Sequence, residues 1–308
     1  GEVENKGYEV LLGAELLRGS GLNWDVSFNW AANRGKVISL HESLDRIVLG
    51  SYTITYEARP GLPLGVVYGD DLKRDAAGNP IISSSGFPQR STAKQPLCEG
   101  MNNRRCEPGE YATSEPDWIG GIRNDFSFGL VQLSFLVDVR KGGVLFCGTC
   151  RLAARDGLSY ETGHYGGRID GVTVDQFLNF SNRRTDKVGV NMVGVKADGS
   201  PNDIYANAKQ FWGKYDDLEP PFLHSGTFAK LREVKLSFEL TPNVLEKLPF
   251  STGRITLVGR NLALFLTDVP HVDPESDGNA FIDGYARGLE YLSQPSDRTF
   301  GVNVSVTR

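Results

Sequence analysis

Along residues 232–240 the apolar side chains Val234, Leu236, Phe238 and Leu240 alternate with Glu233, Lys235, Ser237 and Glu239. Successive side chains of a strand point to opposite faces, so this spacing predicts a strand with one oily and one charged face. The pattern recurs in residues 24–30, where Trp24, Val26, Phe28 and Trp30 share one parity and Asp25, Ser27 and Asn29 the other. It recurs again near the end, where Phe300, Val302, Val304 and Val306 alternate with Gly301, Asn303, Ser305 and Thr307. Residues 124–140 place Leu133, Phe135, Val137 and Val139 on one face, with Phe126 and Phe128 on the opposite parity, which predicts a bulge near Gly129. Further strands are expected at residues 8–18, 46–57, 64–69, 144–154 and 254–266, about nine in all, with one helical turn at residues 244–248.

The connections between these strands alternate in length. Those at residues 19–21, 59–63, 141–143 and 242–253 read as turns, and those at 34–45, 70–121, 155–226 and 267–297 as longer polar excursions. Excursions of that length argue against an ordinary compact domain but are normal on the outer side of an outer-membrane barrel. Two tryptophans at the ends of an apolar strand face also fit the aromatic girdles of such a barrel. On this reading the first strand runs inward from outside, and residues 1–308 are expected to be the C-terminal portion of a larger barrel. A secreted or surface-anchored β-sandwich that binds glycans produces the same short alternation and stands as the alternative.

Composition agrees with an all-β chain: 36 glycines and 10% aromatic residues suit many turns and strands. No apolar run approaches the roughly 20 residues of a membrane helix, which excludes helical spans only. A net charge of -5 gives no reason to expect a nucleic-acid partner. Cys98 and Cys106 lie in a polar stretch punctuated by Pro and Gly and are expected to form a disulfide closing a small loop. Cys147-Gly-Thr-Cys150 has the spacing of a redox or zinc motif, but its place after a predicted strand favours a local disulfide or two packed thiols.

Candidate chemistry is sparse. Asp273, Glu275 and Asp277, with Gly278, partly mimic a calcium loop, although position twelve is Gly284 and not Glu; a structural calcium held by loop oxygens is the cofactor this permits. His41, His164, His224 and His271 are scattered without zinc spacing, and Glu161, His164 and Asp170 form no evident hydrolytic set, so no enzyme is expected. Tyr160, Tyr165, Tyr205, Phe211, Trp212 and Tyr215 crowd the longest excursion. Aromatic rings are platforms for sugars and peptides, which makes Tyr160, Tyr165, Trp212 and Tyr215 the candidate substrate contacts; packing of the loop on itself is the competing role.

Several short pieces in series resemble the SusC/RagA-type TonB-dependent receptors of the Bacteroidetes outer membrane. They are Asn5-Lys-Gly-Tyr-Glu9, Gly61-Leu-Pro-Leu-Gly65 with Tyr68-Gly69, Leu133-Ser-Phe-Leu-Val-Asp138 with Gly142-Gly143, and Leu231-Arg-Glu-Val-Lys-Leu-Ser-Phe238. Gly259-Arg-Asn-Leu262, Asp273-Pro-Glu275 and Pro295-Ser-Asp-Arg298 complete the series. The resemblance spans almost the whole chain and only about the last third of such a receptor; the plug, TonB box and N-terminal domain are missing, and the chain ends on Val306-Thr-Arg308 rather than an aromatic residue. It implies part of a 22-stranded barrel in membrane lipid. It further implies import of a glycan or peptide, a SusD-like surface lipoprotein as lid, and coupling to the TonB complex through the plug.

Overall fold

A computed structural model describes residues 1–19, 21–99, 106–159, 162, 190–246, 249–276 and 287–308. In chain order the strands are β1 (Glu2–Arg18), β2 (Asn23–Ser39), β3 (Ile47–Ser51), β4 (Thr55–Ala58), β5 (Val66–Gly69), β6 (Gln95–Pro96) and β7 (Trp118–Phe128). Next come β8 (Val131–Lys141), β9 (Val144–Cys147), β10 (Leu223–Ser225), β11 (Phe228–Glu239), β12 (Thr252–Thr267), β13 (Leu289–Glu290) and β14 (Thr299–Thr307). Helices occupy Gly148–Arg155 and Ala208–Tyr215, and the expected single helical turn is found at Pro242–Leu245.

Seven strands form one antiparallel sheet in the order β1-β2-β7-β8-β11-β12-β14, each beside its neighbour in sequence among the long strands. Up-and-down order of this kind is what a barrel wall requires. β1 and β2, at 17 residues each, and β12, at 16, exceed the 9–11 or so residues that a tilted strand needs to span a bilayer. The connections at one end are short and those at the other long; of the turns expected, residues 19–21 and 242–253 do join wall strands, whereas 59–63 and 141–143 fall in the long connections.

The details differ from the sequence reading in three places, each for a local reason. Residues 124–140 are two strands: Phe128 pairs with Val131 across the two-residue turn Gly129-Leu130. Gly129 takes φ 55, a left-handed conformation that costs glycine little, so the parity change is a hairpin rather than a bulge. Residues 46–57 and 64–69 leave the wall and make a separate small sheet, β3-β4-β5-β6. After Val144–Cys147 the expected returning strand becomes a helix, because the Cys147 sulfur accepts the Cys150 N–H at 3.0 Å and caps its first turn. The wall therefore holds seven strands, not nine, among the described residues.

The long connections are not structureless. Ile54, Tyr56, Val67 and Leu97 from the first, Val144, Phe146 and Phe222 from the second, and Leu289 from the third share one buried cluster. Tyr56 Oη donates to the Gly288 carbonyl at 2.7 Å, and β13 lies parallel to β9, so residues more than 200 apart in sequence are tied together. Burial of this apolar surface is what holds such long segments in one conformation. Cys98 is disulfide-bonded to Cys106, and Cys147 to Cys150.

Candidate functional site

The register of the sheet sorts its side chains into two faces, since directly opposed residues share a face. Leu12 opposes Phe28, Phe28 opposes Ile122, and Ile122 opposes Val137. Farther along, Leu133 opposes Leu236, Leu236 opposes Leu257, and Leu257 opposes Val302. One face is thus an apolar band that runs without interruption from β1 to β14. Trp24 stacks on Phe126 at 5.4 Å within it, and Trp24 Nε1 donates to Asn124 Oδ1 at 3.1 Å, which satisfies the amide oxygen on this face.

The opposite face carries the charge. Glu233 accepts Arg260 at 3.1 Å, pairs with Lys235 at 2.5 Å and lies 3.4 Å from Arg123; Arg254 pairs with Glu239, and Ser237 bonds Thr256 at 2.9 Å. Apolar exceptions on it include Leu11, Ile119, Leu136 and Val258. No second sheet covers the apolar face among the described residues, and Val302 and Val304 on it are 67% and 62% exposed. A sandwich needs such a cover, so the glycan-binding sandwich does not describe this fold.

At the long-connection end, β11 bulges between Leu231 and Glu233 and turns Arg232 onto the charged face. There Arg232 donates to Asp138 at 2.6 Å, to Asn261 at 2.9 Å, and to both Glu275 oxygens at 2.9 and 2.5 Å. The buried Lys230 ammonium reaches Asp273 at 3.2 Å, Glu275 at 2.5 Å and Ser296 Oγ at 2.9 Å. Burial works against ionising Asp273 and Glu275, yet hydrogen bonds from Ser296, Arg232 and Lys230 and the two positive charges outweigh it, holding both carboxyls below their ordinary range. These are two of the three residues singled out for calcium, and their oxygens are engaged by two cations of the wall; Asp277 lies outside the described residues.

Of the four aromatic candidates, Tyr160 and Tyr165 lie outside the described residues. Trp212 and Tyr215 sit on the helix Ala208–Tyr215, whose start is capped by the Asn207 side chain. Phe211 stacks on Tyr215 at 5.5 Å, and Trp212 meets Tyr215 edge-on at 5.3 Å. Trp212 is buried, so packing accounts for much of its surface, but both rings also line a cleft of 550 Å³ with Arg74 and Met192. Arg74, Lys230 and Arg232 were not singled out in the sequence. For the last two the available signal was a pair of cations two apart on a strand, matching Asp273 and Glu275 two apart in a loop.

Glu219 joins two of the long connections. It is buried at the head of the turn Pro220–Phe222, and its Oε2 accepts the Asp70 N–H at 2.6 Å. Burial pushes its carboxyl up to about 7, against the Asp70 hydrogen bond, while the nearby Asp70 charge adds to the rise. A raised carboxyl favours the folded state below its ordinary value and loses that advantage as pH climbs through 7, by about 3 kcal/mol once fully ionised. Limited proteolysis of the connections is therefore expected to be faster at pH 8 than at pH 5.5, and Glu219→Gln is expected to abolish the difference. Equal pH dependence in both proteins would show that Glu219 is not its source.

The fold thus defines a class: a segment of antiparallel barrel wall with its long connections folded into a cap at one end. No family model matches the sequence. The chain is similar to "TonB-dependent receptor P3" of Formosa agariphila, at 22% identity over 99% of this chain and 29% of the relative. It is also similar to "TonB-dependent receptor P39" of the same organism, at 25% identity over 99% and 30% respectively. Its fold matches a chain of the RagAB peptide importer in the closed-closed state with a TM-score of 0.59 at 15% identity, and one of the RagAB peptide transporter with 0.60 at 14%. Each covers 99% of this chain and 29% of that one. The resemblance to SusC/RagA-type TonB-dependent receptors is borne out, and the chain spans about 29% of the length of the curated relatives it matches.

Proposed function

We propose that these residues form the C-terminal portion of the barrel of a TonB-dependent importer in the outer membrane. Its apolar band faces lipid, its charged face lines the lumen, and its long connections lie outside the cell. The importer takes up a large nutrient, an oligosaccharide or a peptide, beneath a SusD-like surface lipoprotein, and draws on the TonB complex through a plug carried elsewhere in the receptor. The observation that carries this reading is the unbroken apolar band over seven strands, which only a nonpolar surround makes stable. That the matched structures are those of a peptide importer and a peptide transporter favours peptide. The role is transport, with no catalytic residue assigned.

Uptake of fluorescent oligopeptides and oligosaccharides by cells with and without the receptor tests this. Receptor-dependent accumulation that stops when a protonophore dissipates the membrane potential is the expected result. Uptake of every such solute unchanged by deletion of the receptor would contradict it.

A further inference from the structure

At the end with the long connections, the apolar face of the sheet gives way to a cluster of cations. Its last apolar row there is Val10 opposite Trp30, Trp30 opposite Gly120 and Gly120 opposite Val139. Beyond that row, on the same face, Tyr8 opposes Ala32, Lys6 opposes Arg34 and Glu4 opposes Lys36 across β1 and β2, while Trp118 opposes Lys141 across β7 and β8. Burial agrees with this register. Along β2 Arg34, Lys36 and Ile38 are exposed and the intervening Gly35 and Val37 are buried, and Lys141 is exposed as well. At the short-turn end the same face finishes instead on Phe128, Phe238 and Val306.

Two carboxylates answer the four cations. Glu4 pairs with Lys6 at 2.9 Å, and Asp117 pairs with Arg34, whose Nη1 also donates to the Pro116 carbonyl at 2.8 Å. Lys36 and Lys141 have no ion-pair partner among the described residues. Lys6 and Arg34 oppose each other directly, their Cβ atoms about 5 Å apart, and like charges so placed destabilise a sheet. An anion bound between them would relieve that repulsion.

The position of the cluster says what kind of anion. Tyr8, Trp30 and Trp118 lie at the edge of the apolar band, where aromatic rings settle at the level of lipid headgroups. Cations one row farther out stand at the depth of headgroup phosphates, with the band itself below them for acyl chains. A phosphate monoester carries nearly two charges and three acceptor oxygens, which matches two unanswered lysines and an opposed cation pair better than the single charge of a diester. A soluble phosphate would meet the same cations but leave the adjoining band uncovered.

We propose that this corner of the wall binds a membrane lipid whose headgroup carries a phosphate monoester, with Lys6, Lys36 and Lys141 meeting the phosphate beside Arg34, and Val10 and Leu12 meeting the acyl chains. The inference rests on the reading above that the apolar face meets lipid.

Native mass spectrometry of the full receptor in detergent, titrated with monophosphoryl lipid A and with the same lipid after enzymatic removal of its phosphate, tests it. Each lysine is expected to contribute about fivefold to affinity, so the phosphorylated lipid should bind about a hundredfold more tightly than the dephosphorylated one. The combined variant Lys6→Gln, Lys36→Gln and Lys141→Gln should lose most of that difference while still taking up the dephosphorylated lipid, which shows that its wall is formed. Lys235→Gln, on the charged face, should change neither affinity. Discrimination that survives the combined variant would overturn the proposal, as would phosphatidylglycerol binding as tightly as the monoester, or displacement of the lipid by excess inorganic phosphate. Equal affinity for the two lipids in the unaltered receptor, which needs no variant to fold, would overturn it and leave the wall reading standing. A receptor that took neither lipid from the micelles would bring down both.

Discussion

Replacing Leu236 with arginine is expected to cost about 2–4 kcal/mol or to block assembly of the receptor in the outer membrane, whereas Lys235→Leu on the adjacent position should be tolerated. Leu236 lies between Leu133 and Leu257 near the middle of the apolar band, so an arginine there has no polar neighbour to its sides and, in lipid, none beyond. Phe28, set between Leu12 and Ile122 on the same face, should respond alike. The amount of heat-modifiable, folded barrel in isolated outer membranes measures the effect. Normal levels of folded Leu236→Arg would show that this face does not meet lipid.

The second large effect is expected at Lys230. Its side chain is 5% exposed and its ammonium lies between Asp273 and Glu275, so Lys230→Met leaves two partly buried carboxylates with one cation, Arg232, which of the two contacts Glu275. Removing one partner of a buried ionic cluster typically costs about 3–5 kcal/mol, because the remaining charge stays desolvated. The loss should appear as release of the third connection from the wall, read by faster proteolysis within residues 268–298. Asp273→Asn added to Lys230→Met should recover part of the loss, and simple additivity of the two changes would show that the residues do not act as a pair.

What the sequence disclosed follows from how far each signal reaches. Alternation is local, so Trp24 to Trp30, Val234 to Phe238 and Phe300 to Val306 announced their strands and faces directly. The hairpin at Gly129-Leu130 was hidden because a two-residue turn between two strands of like composition leaves little polar punctuation. The core of the long connections was hidden for a different reason. Tyr56 meets Gly288 and Leu289 pairs with Phe146 across spans that no periodicity can register. Asp273 and Glu275 were legible as a charged pair, but their role depends on Lys230 and Arg232 more than forty residues earlier. In Trp212 and Tyr215 the aromatic density was visible, while the arginine that completes their cleft lies in another connection altogether.

The central claim, that one face of the sheet meets lipid and the other an aqueous lumen, is tested most directly by paired spin labels at Leu236 and Lys235 of the full receptor in lipid bilayers. The expected result is an alternation: the label at 236 relaxes with oxygen, which concentrates in the bilayer, and the label at 235 with a water-soluble nickel chelate. A label at 236 that relaxes with the nickel chelate rather than with oxygen would contradict the assignment of the apolar band to lipid, and with it the barrel-wall account of this chain.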